Sequence, residues 1–199
     1  MPVSGPHALR ERILDAARQR FIQQGYQGLS MRQIAQAVGV SKPAIYYHFQ
    51  DKEQLFLAVI DAYLDEMEDL LDRIRDEDGT ARHQITSIVR DILSLPVEKR
   101  AAIHLASQDM AQLSRESQAA IHQAYREKFS GKIQDILRAG IQKGELRPVD
   151  PEVAAWTLLG MMVPYFSPAH LEDIPLPVHI VEQILAIYLD GIALSQDQV

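Results

Sequence analysis

Between Ser41 and His48 the chain carries a hydroxyl (Ser41), an ammonium (Lys42), two phenols (Tyr46, Tyr47) and an imidazole (His48). This is a set of donors, one cation and aromatic edges with little outward apolar bulk. Such groups suit phosphate oxygens and the edges of bases. Lys42 and Tyr46 are read as base-edge contacts, with Ala44 available to a thymine methyl and Pro43 beside it. Tyr47, His48 and Lys52 are read as phosphate contacts, and Arg32 as reaching either a base or a phosphate. Ser30 and Ser41 add hydroxyl and backbone N–H contacts. For His48 the alternative is a satisfied surface histidine.

Two short helices must hold these groups. In SMRQIAQAVGVSKPAIYYHF, Ser30 is a suitable N-cap, and Met31, Ile34, Ala35 and Val38 recur at helical spacing. Gly39 falls where a left-handed residue ends a helix without steric cost. Val40 fills the corner, Ser41 is expected to cap the second helix, and Pro43 sits in its first turn, where a missing N–H does no harm. Capped helices joined at a glycine corner define a helix-turn-helix, whose second helix offers its front residues to DNA. The alternative is a purely structural helical corner.

Charge separates this region from the rest. Residues 1–55 hold seven Lys/Arg against four acids, a net of +3, and residues 56–199 hold thirteen against twenty-three, a net of −10. A basic head on an acidic body is the distribution expected when the head alone meets phosphate. The 199 residues contain no cysteine, which excludes disulfides and thiolate metal sites. No apolar run approaches the ~18 to 20 residues that a membrane helix needs, and no signal-peptide core is visible. The reading is of a cytoplasmic protein without a membrane partner.

The run from Ile13 to Leu55 resembles the N-terminal domain of the TetR family of transcriptional regulators. ILDAA, F-x-x-x-G-Y, IAQAVGVSKPAIYYHF and DKEQL occur in the family's order and spacing. The resemblance covers about a quarter of the chain and departs at Arg20 and Met31. It implies an operator-binding head, supports each DNA-contact position named above, and implies dimerisation through the last two helices with a small molecule among the middle ones.

The remaining pattern is helical throughout, so the expected fold is all-α, with about nine helices. Ile13, Ala17, Phe21, Ile34, Val38, Ile45 and Phe49 form the expected core of a head spanning 1–51. A connecting helix covers 52–78: Leu55, Phe56, Val59, Tyr63, Met67, Leu70, Leu71 and Ile74 make its inner stripe, and its other face is acidic and read as solvated. Residues 79–199 form the expected regulatory and dimerisation region. Its helices are expected before Pro96, over Glu98–Leu113, Arg115–Lys143, Val153–Phe166 and Val178–Leu194. Asp150 and Pro151 are placed to start the Val153 helix.

The last two helices are apolar on two faces each, which calls for burial on two sides. One side is the protein's own core; a twofold homodimer supplies the other. The residues assigned to that interface are Leu159, Val163, Ile184, Leu185, Tyr188 and Ile192. For a small apolar or amphipathic effector the side chains are Tyr63, Met67, Ile88, His104, Met110, Tyr125, Trp156, Met161 and Met162, because thioethers and polar-tipped rings suit a mixed site. The alternative for each is ordinary core packing.

Enzymatic motifs do not occur: there is no phosphate-cradling glycine loop, G-x-S-x-G, H-E-x-x-H or cysteine nucleophile. Neither His104 nor His122 has a histidine partner at i+3 or i+4, so no metal and no cofactor are assigned. Glu66 and Asp69 can hold a cation only if the helix face is more than solvated acid. The resulting reading is a ligand-responsive DNA-binding regulator, a repressor acting as a dimer. The competing one is a ligand-binding or protein-interaction module with a vestigial head.

Overall fold

The computed structural model describes residues 6–77, 79–96, 99, 109–166 and 177–192, with the backbone alone for Pro6 and Ile192. Among these residues there are no strands. The α-helices are α1 (Pro6–Gln24), α2 (Met31–Val38), α3 (Lys42–His48), α4 (Lys52–Asp76), α5 (Ala81–Leu93), α6 (Arg115–Tyr125), α7 (Gly131–Gln142), α8 (Pro151–Met162) and α9 (Val178–Ile192). A π-helical turn, Arg126–Ser130, joins α6 to α7 without a break, so the described residues contain eight separate helices. The all-α expectation is met. Most of the helix expected over Glu98–Leu113 lies outside the described residues; its end forms a short 3-10 turn, Met110–Gln112.

The chain divides into two compact units. One comprises Met1–Tyr63 with Ala102–Gln123, and the other Leu64–Ala101 with Ala124–Val199. The residues of α4 are shared between them, and the segment after Asp109 belongs with the head.

In the first unit α1 packs on α2, and α2 on α3. All seven residues expected in its core are buried, with Ile13, Ala17, Phe21, Ile34 and Ile45 at 0% exposure. Met31, one of the two departures from the family pattern, is buried, whereas Arg20 is exposed and so leaves packing undisturbed. Ser30 caps α2 as expected, and Gln33 completes a capping box: Ser30 Oγ accepts from the Gln33 N–H and Gln33 Oε1 accepts from the Ser30 N–H. Gly39 ends α2 at φ 74°, and its N–H reaches back to the Ala35 and Gln36 carbonyls. Asp51 caps α4 by accepting from the Gln54 N–H at 2.7 Å.

Ser41 differs from expectation. It stands at the N-cap of α3, but its hydroxyl makes no capping bond. Pro43 at the second helical position has no N–H, and the Ala44 N–H is already donated to the Ser41 carbonyl at 3.0 Å. The hydroxyl is therefore left to outside partners.

In the second unit α7 packs on α5 and α8, and α9 packs on α5 and α8. Asp150 Oδ1 accepts from the Glu152 N–H at 2.8 Å, and Pro151 opens α8, as its spacing predicts. The acidic face of α4 is not simply solvated. Lys99 pairs with Glu66 at 2.7 Å and Lys128 with Asp65 at 2.5 Å, while Lys132 bridges Glu68 (2.9 Å) and Asp72 (2.7 Å). Glu66 is thus engaged by an ammonium rather than held for a metal cation. Such partly exposed pairs contribute little stability singly.

The corner at Gly39 generates a test. A Cβ there meets nothing within 4 Å, so substitution costs backbone strain rather than a clash. Gly39→Ala should lose about 1–2 kcal/mol in denaturant unfolding, and Gly39→Asn distinctly less. Equal losses in the two variants would show that the left-handed backbone is not the cause.

Candidate nucleic-acid interface

The interface begins with a single buried residue. Ile45 is the buried side chain of α3 and faces the core of the head. A seven-residue helix anchored at its centre presents its other faces outward, and Ser41, Lys42, Pro43, Tyr46 and Tyr47 are all exposed. Tyr47 is the most open, at 81%, against 41% for Tyr46. Ala44 and His48 are half-buried at the edges of this surface. Lys42 Nζ lies 5.4 Å from the centre of the Tyr46 ring, so the two proposed base-reading groups sit together, one turn apart. The rings of Tyr47 and His48 meet edge to face at 5.2 Å. Arg32 and Ser30 are exposed on α2. The structure therefore places Ser30 at the start of α2, Arg32 on it and the Ser41–His48 groups along α3, while Lys52 stands apart at the start of α4.

Not every positive group of the head is free for phosphate. Arg12 donates to the Val38 carbonyl at 2.9 Å, satisfying a backbone acceptor at the end of α2. Arg10 lies over the Phe49 ring at 5.4 Å. Lys52 is half-buried: its ammonium donates to the Tyr26 carbonyl at 2.8 Å and sits 4.2 Å from the centre of that residue's ring. Two of its three N–H donors stay unassigned by that bond.

Sequence reading missed the groups that hold Lys52. Tyr26 packs against Phe21 and Phe56, with ring centres 6.1 and 5.1 Å away. Its hydroxyl is pushed above the ordinary phenol range, first by burial and then by Glu53, Asp51 and Asp109. Its N–H donates to Asp109 Oδ2 at 2.8 Å. Next to Lys52, Glu53 Oε1 accepts from the Ser114 N–H (2.9 Å) and hydroxyl (2.6 Å). These bonds, chiefly from the Ser114 hydroxyl, hold the Glu53 carboxyl below its usual value. Tyr26 and Asp109 are 83 positions apart, and no periodicity connects them.

The other assignments fare differently. Leu159, Ile184, Leu185 and Tyr188 are 3–6% exposed, inside the protomer's own core, and Tyr188 donates its hydroxyl to the Ala154 carbonyl at 3.0 Å. Those four cannot form a surface between copies as they stand. Val163, also assigned there, is exposed, and the side chain of Ile192 lies outside the described residues. The exposed apolar residues of these helices are instead Val153, Trp156, Val163, Val178 and Ile187. A helix with two apolar faces does not announce which one its own core takes.

Among the effector candidates, Tyr63, Met67, Ile88 and Met162 are buried, Met110, Tyr125 and Met161 half-buried, and Trp156 is 50% exposed. His104 lies outside the described residues. Tyr125 and Trp156 come together, their rings stacked at 6.0 Å, and burial pushes the Tyr125 hydroxyl up to about 12. Met67 lines a crevice of about 220 Å³ with Glu66, Asp69, Leu70, Arg73, Leu95 and Lys99. That space is smaller than the ~300–1,000 Å³ of typical small-molecule sites. Among the described residues no group of three or more His, Asp or Glu is placed to hold a metal ion, and no helix is long and apolar enough to cross a membrane.

A basic corner with an outward α3, on an otherwise helical chain, defines a helix-turn-helix DNA-binding class. The profile described as bacterial regulatory proteins of the tetR family matches residues 13–59, and a tetracyclin repressor-like C-terminal profile matches 78–166. The chain is 30% identical to the HTH-type transcriptional regulator UidR of Escherichia coli K12, over 83% of each protein. It is 36% identical to the HTH-type transcriptional repressor AcnR of Corynebacterium diphtheriae, over 44% of this chain and 41% of that protein. Among solved structures, AibR in complex with isovaleryl coenzyme A and operator DNA superposes with a TM-score of 0.73 at 27% identity, covering 90% of this chain and 97% of that one. The chain belongs to the TetR family of bacterial transcriptional regulators.

The Glu53–Ser114 bonds carry a pH signature. A carboxyl whose folded pKa is depressed stabilises the fold above its unfolded pKa, and that contribution is lost as pH falls through the folded value. Glu53→Gln should therefore melt below wild type at neutral pH, and the gap should close as pH falls below the ordinary carboxyl value of 4.5. A gap independent of pH would show that the charge of Glu53 contributes nothing.

Proposed function

We propose that this chain is a dimeric, ligand-responsive repressor that acts on chromosomal DNA in the cytoplasm. The observation that carries the reading is the outward face of α3: Ile45 is fully buried while Lys42, Tyr46 and Tyr47 are exposed. In the mechanism, two copies of α3 enter successive major grooves ~34–36 Å apart on a palindromic operator. Residues 1–51 meet the DNA, and α4 leads to the part that dimerises and holds the effector. The repressor name of AcnR and the operator complex of AibR support this direction. No catalytic group or cofactor enters it.

The dimer is assigned to the exposed residues Val153 and Trp156 along α8, Val163 in the 3-10 turn that follows it, and Ile187 on α9. Gly160 and Gly191 lie beside these residues with open space at their Cβ positions. Glycine inside an exposed helix costs ~1 kcal/mol relative to alanine, and close approach by a partner is one reason to keep it. An effector with an apolar part weakens DNA binding by its differential affinity for the two states of the dimer. AibR's isovaleryl coenzyme A supports a small acyl compound as its class.

With the duplex selected from a random pool, Lys42→Ala and Tyr46→Ala should relax base preference, each by about 1–3 kcal/mol of discrimination. A sequence-blind loss would remove these residues from base reading. Ile187→Glu and Trp156→Glu should give monomers in sedimentation while keeping wild-type helicity; dimers in both would refute this interface. Short acyl thioesters should raise the melting temperature and release the duplex, and a panel that does neither would remove that effector class.

A further inference from the structure

The groups around Lys52 form a chain that the DNA-contact surface does not itself explain. Lys52 opens α4, and its ammonium is held twice by one residue, bonded to the Tyr26 carbonyl at 2.8 Å and seated over the Tyr26 ring at 4.2 Å. The opposite edge of the same residue is fixed by a carboxylate: the Tyr26 N–H donates to Asp109 Oδ2 at 2.8 Å. Asp109 is 8% exposed, and its other oxygen accepts from Gln112 Nε2 at 3.0 Å. Both oxygens are thus engaged, so the carboxylate has a defined orientation. The neighbouring residue of α4 is tied to the same segment, because Glu53 Oε1 accepts twice from Ser114. The first two residues of α4 are therefore placed by the short stretch from Asp109 to Ser114, more than fifty positions further along the chain.

We propose that Asp109 is a positioning residue for DNA binding: through the Tyr26 backbone it fixes the Lys52 ammonium where a phosphate meets it. The inference rests on the reading of Lys52 as a phosphate contact. A free lysine side chain loses much rotamer freedom when it is held, and an ammonium already seated loses less on meeting its phosphate. The seat is Tyr26, and Asp109 anchors the Gly25–Tyr26 peptide, from whose Tyr26 Cα both the ring and the carbonyl that hold Lys52 project. Burying a carboxylate costs its hydration, which one backbone and one side-chain hydrogen bond only partly replace. A role in placing Lys52 accounts for it at this position.

The test uses the full chain, the duplex that wild type selects from a random-sequence pool, and a scrambled duplex of equal length. Lys52→Ala should weaken both alike and lower the slope of log affinity against log salt by about one unit. Asp109→Ala should weaken both duplexes by about tenfold and lower the slope similarly, because the released ammonium no longer meets its phosphate reliably. The double variant should bind no more weakly than Lys52→Ala alone. Asp109→Asn, which can still accept from the Tyr26 N–H, should recover most of the affinity and the slope. If Asp109→Ala does not fold, Gln112→Ala loosens the same carboxylate and should shift the slope in the same direction. An unchanged slope in a folded Asp109→Ala or Gln112→Ala, or losses that multiply in the double variant, would overturn the proposal while leaving Lys52 as a phosphate contact. An unchanged slope in Lys52→Ala would overturn both.

Discussion

The outward surface of α3, proposed to face DNA, depends on one packing constraint, the burial of Ile34 and Ile45 on either side of the Gly39 corner. Both side chains are at 0% exposure. Once Ile45 is inside, the helix turns Tyr46 and Tyr47 away from it, while Lys42, on the same side as Ile45, is exposed at the first position of the helix. The left-handed backbone at Gly39 sets the angle at which α3 leaves α2, and Pro43 fixes the first turn. The functional groups are outward because apolar ones are inward, and no separate interaction is needed to present them.

Charge in the head has two uses, which a net count cannot separate. Arg12 closes the end of α2 by donating to the Val38 carbonyl, and Arg10 covers Phe49. Lys52 serves Tyr26 before it can serve a phosphate. The cations of α2 and α3 that stand fully outward, Arg32 and Lys42, are few. A net count therefore overstates how many cations of the head are left without a partner inside it.

Much of this was legible in the sequence because its causes are local. Caps, the glycine corner, the proline in the first turn and the apolar spacing of Ile34, Val38 and Ile45 act within a few residues of each other, and the family pattern spans the same stretch. Ser41 was only half legible: its place at the helix start followed from the sequence, but the loss of its cap depended on a bond already taken by Ala44. Tyr26, Asp109 and Ser114 were not legible, since their partners lie 26 to 83 positions away. The face that α8 and α9 turn inward was also hidden. Both helices are apolar on two sides, and only packing decides that Leu159, Leu185 and Tyr188 go to the core while Trp156 and Ile187 stay out. The acidic stripe of α4 looked solvated for a similar reason, its lysines being supplied by other helices.

In the proposed complex the outer face of α3 occupies a major groove. Methylation interference on the selected duplex addresses it most directly, because guanine N7 lies in the major groove and adenine N3 in the minor one. N7 methylation should block binding in two clusters about one helical turn apart, ~34–36 Å. Interference confined to adenine N3, or purified protein that retains no duplex even in dilute salt, would contradict it.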